Sequence, residues 1–297
     1  MAAPQDVSPP VRSALQWAAM TTTAATERER PVITPRRPGL DFRDVPRHWF
    51  GGHAIGSHGV NALNLLFPDG ERFFVRSVRA YLSAVTDEQL KRDVQRFIEQ
   101  EARHGVEHEH FFAALEQQGF RIRPMLAAYK FVAFKVIEKV SPPVLRLSAT
   151  AALEHLTATF ARLALTHPLL EQAHPTMRSL LRWHAAEEIE HRAVAFDVLQ
   201  VVDPRLRTRA AGMAVAVGTL FPFWVGFHLS LLWQDRANLS IERLRSERAV
   251  GREELGARRE AQRQAVLGYL RRDFHPLDED TTHLAVEYFA AHPVAAG

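Results

Sequence analysis

The stretch His184-Ala-Ala-Glu-Glu-Ile-Glu-His191 interrupts what would otherwise read as an ordinary bundle helix. Pro175 suits a first helical turn. From there an apolar seam runs Met177, Leu181, His184, Glu188, His191, Ala195, Val198 and Val202, until Asp203-Pro204 stops it. Steps of three and four residues are the period of one helix face. The pattern predicts a helix from about Pro175 to Val202, with His184, Glu188 and His191 on the face turned to the core. A buried carboxylate is costly unless it is paired or holds a metal, so this seam points to a site rather than to surface charge.

Working outward, three other segments repeat the pattern. From about Asp87 to Gln118 the stripe is Leu90, Val94, Phe97, Glu101, His104, His108, Phe111 and Leu115. Thr86 and Gln89 form a capping-box pattern at its start, and Gly119 stands where a C-terminal glycine belongs. From about Pro143 to Thr166 the stripe is Leu147, Ala151, Glu154, Ala158, Ala161 and Leu165. An earlier helix is expected to start near Gly70 and to carry Glu71, Phe74, Val78 and Leu82; Glu71 then falls in a first turn, where acids are favoured anyway. The segment from Asp41 to Phe67 reads as loop or short helix.

A histidine three residues after a glutamate shares its helix face, so Glu101 with His104, and Glu188 with His191, can each reach one metal ion. The bare spacing is weak evidence, because it recurs at Glu107/His110 and Glu171/His174 in a chain with 15 histidines. Those two pairs fail in context: the first lies off its stripe and the second in a loop before Pro175. His184, one turn before Glu188, is a further candidate ligand. His108, one turn beyond His104, reads as a pocket residue behind the ligands. His155, Glu187 and Glu190 neighbour ligands but point off the stripe. Four ionised glutamates would balance two divalent ions. Carboxylate and imidazole without thiolate suit iron; manganese or zinc would also be accommodated.

Composition removes other classes. The chain has 297 residues, no cysteine and a formal net charge of +3. Thiolate zinc sites, disulfides and iron–sulfur clusters are excluded. The arginines are scattered over polar faces, and no nucleic-acid partner is expected. The domain reading is a mobile N-terminal arm at 1–39, a di-metal helical domain at 40–235 and a C-terminal helical extension at 236–297. Within it, Ala210 to Trp233 carries no formal charge and is near the length that crosses a bilayer. No secretory signal precedes the domain. The expectation is a cytoplasmic protein, with membrane contact through 210–233 and a homodimer both left open.

In these residues the chain resembles the ferritin-like di-iron carboxylate superfamily, whose bundles take one Glu from each of two helices and a Glu-x-x-His from each of two others. The matching positions are Glu71, Glu101/His104, Glu154 and Glu188/His191. More narrowly, Phe-Pro-Asp-Gly-Glu at 67–71, Glu-Ala-Arg-His at 101–104 and the 184–191 stretch resemble a bacterial family described as predicted metal-dependent hydrolases, placed with ferritin-like folds. The ligand pattern is also similar to the p-aminobenzoate N-oxygenases, whose di-iron site has an additional histidine one turn before the last Glu-x-x-His; His184 occupies that place. The resemblance implies an all-α, ferritin-like bundle with additional C-terminal helices. It also implies a dioxygen-activating di-iron oxidoreductase that takes a small-molecule, apolar or aromatic substrate and an electron donor. The small residues Ala151, Ala158 and Ala161 beside Glu154 would leave space for such a substrate or equally allow close helix packing. A two-metal hydrolase is the alternative, and metal storage or a structural bundle the third reading.

Overall fold

The structure, a computed structural model, describes residues 30–250 and 252–294. Helix α1 (Ala54–Arg79) runs antiparallel to α2 (Glu88–Gln117) across a single 3-10 turn. Helix α3 (Ile122–Lys130) continues into a π-helical segment, Phe131–Ile137. Then come α4 (Pro143–Thr166), α5 (Pro175–His191), α6 (Val194–Val202) and the long α7 (Leu206–Gln234). Helices α8 (Ile241–Val250), α9 (Arg252–Tyr269) and α10 (Thr282–Ala291) complete the chain. Among the described residues there is no strand, only an isolated bridge between Phe50 and Ala173. The protein is an all-α helical bundle, with α1, α2, α4 and α5 around the polar seam.

The local starts and stops follow side-chain chemistry, with three departures from the sequence expectation. The cap of α2 is Asp87, not Thr86: its carboxylate accepts the Leu90 N–H at 2.6 Å, and a charged acceptor one residue later displaces the expected box. Gly119 closes the helix at φ +90°, as a glycine there should.

The second departure is larger. Helix α1 does not begin at Gly70 but passes through Pro68, so Glu71 lies mid-helix. A proline inside a helix costs about 3 kcal/mol. Packing on both sides of α1 offsets this: Leu65, Leu66, Phe74 and Val78 are all buried. Gly105 of α2 faces the proline. A Cβ there would lie 3.6 Å from Pro68 Cα and 3.3 Å from Glu71 Oε2, so glycine lets α1 and the Glu71 carboxylate approach.

The third departure is a break between α5 and α6 at Arg192-Ala193. The buried Arg192 guanidinium turns to the carbonyls of Ile189, Pro276 and Glu279, tying the break to the chain before α10.

The apolar run forms α7, which is long and apolar enough to cross a membrane by length and composition. It packs on α4, where a Cβ at Gly212 would overlap the Ser148 backbone, and on α1, where the Trp224 indole donates to Gly59 O at 2.8 Å. The C-terminal tail is not wholly exposed: Tyr269 is buried and stacks on His155, whose other face meets Phe274. Residues 1–29 of the expected arm lie outside the described residues. Thr34 and Arg36, from its final part, hydrogen-bond to helix α5.

Candidate metal centre

The seams of α1, α2, α4 and α5 bring Glu71, Glu101, His104, Glu154, His184, Glu188 and His191 together, each nearly inaccessible to solvent. Ligand atoms of Glu101, Glu154 and His191 lie within 4.8 Å of one another, and so do those of His104, His184 and Glu188, and those of Glu71, Glu101 and His104. His191 Nε2 is 3.1 Å from Glu101 Oε1, 3.3 Å from Glu154 Oε2 and 3.5 Å from Glu188 Oε1. His104 Nδ1 is 4.0 Å from Glu101 Oε1 and 3.8 Å from Glu188 Oε1. His184 Nε2 is 2.9 Å from Glu188 Oε1 and 3.9 Å from Glu71 Oε1. Glu101 and Glu188 therefore stand between a His191/Glu154 side and a His104/His184/Glu71 side.

Each imidazole turns one nitrogen into this space and anchors the other outside it. His104 Nε2 bonds Glu187 Oε2 at 3.0 Å. His191 Nδ1 bonds Gln100 Oε1 at 2.9 Å. His184 Nδ1 bonds His108 Nε2 at 2.6 Å, and His108 Nδ1 bonds Asn64 Oδ1 at 2.7 Å. Asn64 itself donates to Val60 O, which fixes its carbonyl toward His108. Read outward to inward, His108 bonds Asn64 with one ring nitrogen and His184 with the other, and the His184 ring then presents Nε2 to Glu188 at 2.9 Å and toward Glu71. Outer partners of this kind hold the ring orientation and tautomer of a metal-binding histidine.

The N-terminal segment closes the outer ring. Arg36 N–H donates to Glu187 Oε1 at 2.9 Å, and its guanidinium grips Glu190 with bonds of 3.0 and 2.8 Å. Thr34 N–H and Gln100 Nε2 both donate to Glu190 Oε2. The Thr157 hydroxyl donates to Glu188 Oε2.

The inner carboxylates lack such partners. Both oxygens of Glu71, Glu101 and Glu154, together with His104 Nδ1 and His191 Nε2, are buried without a hydrogen bond. Burial, then the charges of Glu101, Glu188 and Glu154, pushes Glu71 well above the ordinary carboxylate range. Burial likewise raises Glu101, and raises Glu154 well above that range. Glu188 goes the other way: burial opposes it, but the His191 charge and the His184 bond pull it well down. Burial, then the His184 charge, drives His104 and His108 well below the usual histidine range. Outside the centre, burial and the neighbouring Glu190 charge push Glu187 up to about 8. Unsatisfied buried oxygens that repel one another are what a bound cation would relieve, so the donor set fits two divalent ions.

The excluded pairs stay apart from this cluster. Glu107 meets His110 at 3.6 Å, and Glu171 pairs with Arg178 and Arg182. His155 is held by Ala265 O. His108 bonds His184, and one of its ring nitrogens also lies within 4.8 Å of a Glu71 carboxylate oxygen, so it stands at the edge of the centre. Sequence reasoning missed Asn64, Gln100, Thr157 and Arg36, whose roles depend on contacts between helices rather than on any one seam. Glu187 and Glu190 were visible as neighbours of ligands, and their off-stripe direction is what fits them to hold ligands from outside.

A cavity of about 110 Å³ adjoins the cluster, lined by Glu71 and Thr157 at its inner end. Its other walls are almost wholly apolar: Leu66, Phe67 and Phe74 of α1, Phe134 and Ile137 of the π-helical segment, Leu153 and Phe160 of α4, and Leu220 and Phe223 of α7.

Facing carboxylates and histidines inside an all-helical bundle define a metal-binding helical protein. The chain belongs to the family described as predicted metal-dependent hydrolases, whose model matches residues 34–280. Comparison with curated proteins and with solved structures gives no match.

Proposed function

We propose that this protein is a di-iron, dioxygen-activating oxidoreductase acting on an apolar organic small molecule, with an external electron donor. Glu101, Glu154 and His191 would hold one ion, Glu71, His104 and His184 would hold the other, and Glu188 would be available to either. When bound, such a pair supplies the electrons that reduce dioxygen.

The observation that carries the reading is the pairing of an oxygen- and nitrogen-rich centre with a dry, apolar cavity that ends on it. Phe67, Phe74, Leu153 and Phe160 would hold an apolar substrate and keep water from the centre. Glu71 lines that cavity, so its carboxylate is the ligand nearest to the bound molecule. The Thr157 hydroxyl, which lines the cavity and bonds Glu188, is placed to hold or pass a proton at Glu188 Oε2. The His108–Asn64 pair orients the His184 ring so that Nε2 faces Glu188 and Glu71.

A second reading, metal-dependent hydrolysis of an apolar ester, is favoured by the family's description. In that case the metals would activate water, and no separate nucleophile would be needed. The two readings part in one experiment. Iron-loaded, chemically reduced protein is mixed with oxygenated buffer and followed by absorbance, while zinc-loaded protein is assayed on nitrophenyl esters of increasing chain length. The expected result is an oxidation transient with the iron form and no metal-dependent esterase activity. Absence of the transient, with zinc-dependent ester cleavage, would replace the first reading by the second.

A further inference from the structure

The helical segment that walls the cavity is apolar on both of its faces. Ala133, Phe134 and Ile137 of the π-helical turn line the cavity. Phe131, Val132, Val136 and Val140 point outward, with Phe131 63% exposed. Apart from Lys135 the segment is apolar, which suits an apolar surrounding on its outer side as well, and π-helical turns are frequent at functional sites.

Helix α7 runs past it in the opposite direction, with Gln234 against Met125 and Phe223 and Phe227 against Tyr129. Its solvent face is equally bare. Ala211, Ala214, Gly218, Pro222, Val225, Gly226, Leu229 and Trp233 are exposed, at helical spacing and without one polar residue. Both outward faces are thus apolar, on two neighbouring helical segments.

Charge says what covers these faces. The chain has only four lysines, and three of them, Lys130, Lys135 and Lys139, border this surface. Lys130 meets Asp69 at 3.3 Å, and the one acid among them, Glu138, is taken by Arg76. Lys135 and Lys139 are exposed, and neither has an acidic partner among the described residues. Arg236 lies over the Trp233 ring at 4.2 Å, at the end of the α7 stripe. Apolar residues ringed by lysine, with an arginine-capped tryptophan at the edge, match the boundary between acyl chains and anionic headgroups.

We propose that the outer faces of the π-helical segment and of α7 dock on an anionic membrane surface. The bundle stays folded and no helix crosses: Met213, Ala216, Phe227 and Leu231 of α7 are buried in the protein core. Docking would cover the outer side of the wall whose inner side lines the cavity, so the substrate class is an apolar molecule dissolved in the leaflet. The surface goes beyond the reaction proposed above, and its test needs no turnover.

The chain's lack of cysteine permits a clean probe. Full-length, metal-loaded protein carrying Val136→Cys is labelled with an environment-sensitive fluorophore; Val286→Cys, an exposed apolar position on α10, is the control. Vesicles of phosphatidylcholine with phosphatidylglycerol are compared with pure phosphatidylcholine. The expected result is a blue shift at position 136 with anionic vesicles, none at 286, and release by high salt. Lys135→Gln with Lys139→Gln should weaken vesicle affinity roughly twenty- to thirtyfold, from about 1 kcal/mol per lysine near an anionic surface, and leave metal content intact. Equal binding to neutral vesicles overturns the proposal. So does a fluorophore already shifted before lipid is added, which would mean that protein, this chain or a second copy, covers the surface. Protein that resists extraction by salt and alkaline carbonate would mean that α7 inserts, and overturns it as well.

Discussion

Two clusters of histidine and carboxylate lie in this molecule, and they differ in whether protein satisfies them. Near the C-terminal end of α7, Asp235 is buried against His48 and His58, a grouping with the residue types and spacing of a metal site. Its oxygens are all occupied: Arg47 and Asn238 donate to Oδ1 at 2.8 Å, and His48 and His58 to Oδ2 at 2.6 and 2.8 Å. Arg243 in turn donates to His48 Nδ1 at 3.0 Å. Burial opposes ionisation of Asp235, yet the bonds from His48, His58 and Asn238 hold it down to about 2. A guanidinium already sits where a cation would go. The Glu71–His191 centre has the same ingredients, but both oxygens of its Glu71, Glu101 and Glu154 are buried without a hydrogen bond. Residue type is shared between the two clusters; unsatisfied buried carboxylates are found, of the two, only in the second. The first cluster reads as a clasp that joins residues 47–58 to the end of α7, and the second as a place that needs an ion.

The largest expected effect breaks the comparison outright. Glu101→Ala or Glu154→Ala should remove at least one of two metal ions per chain, measured by elemental analysis after purification. Asp235→Asn should keep full metal content and instead lose about 1–3 kcal/mol of stability, because the amide cannot accept all four donors. Glu107→Ala with His110→Ala should change neither. Metal lost from the Asp235 variant and kept in the Glu variants would reverse the two assignments.

How much of this was legible in sequence follows the reach of each contact. Helices α2 and α4 and the ligand-bearing part of α5 could be read because a seam is a local property: Glu101, His104, Glu154 and Glu188 each interrupt an apolar stripe. The placement of Glu71 could not be read correctly. Pro68-Asp69-Gly70 carries a strong local signal for a helix start, and only the packing of α1 on its neighbours, with Gly105 making room, carries the helix through it. The α5–α6 break depends on Arg192 reaching carbonyls more than eighty residues away. The strap was invisible for the same reason, since Thr34 and Arg36 bond residues over 150 positions distant. What local periodicity encodes is which face turns inward. Which outer residues hold that face in register is settled by the tertiary fold.

A smaller effect sharpens the contrast within the centre. Glu187 does not face the cluster; it holds His104 by Nε2 and is held by the Arg36 backbone. Glu187→Ala should therefore lower metal affinity by about 10–100-fold, the usual loss when an outer partner of a metal ligand is removed. Glu187→Gln, which keeps an oxygen for the histidine, should recover part of it. Competition with a chromogenic chelator measures both. An alanine variant with unchanged affinity would make Glu187 a structural group only.

The smallest effect is a matter of sign. In chelated protein, Glu71, Glu101 and Glu154 titrate above their unfolded value of 4.5, by burial first and by mutual repulsion after it. A raised folded pKa means that the native state holds its proton where the unfolded chain has released it. Their contribution is fully present below pH 4.5 and is lost as pH rises toward the folded values. His191, raised well above the histidine value of 6.5 by Glu188 and Glu154 despite burial, loses its contribution in the same direction at higher pH. Glu188, lowered, has an opposite share confined to acid below 4.5. His104 and His108, lowered, have an opposite share that is complete by their unfolded value of 6.5. Between pH 6.5 and 8 the chelated protein should thus become less stable as pH rises, by roughly 2–4 °C in Tm for each pKa unit of net shift. Metal-loaded protein should show the reverse slope, because bound ligands must be deprotonated and protons compete with the ions. The Asp235 carboxylate contributes nothing to either slope in this window, since it titrates near 2, and His58, lowered by burial, has its opposite share below 6.5. Scanning calorimetry of both forms at several pH values gives the two slopes directly. Parallel slopes would show that the carboxylates carry no linkage to metal, and with it the distinction between the two clusters would fall.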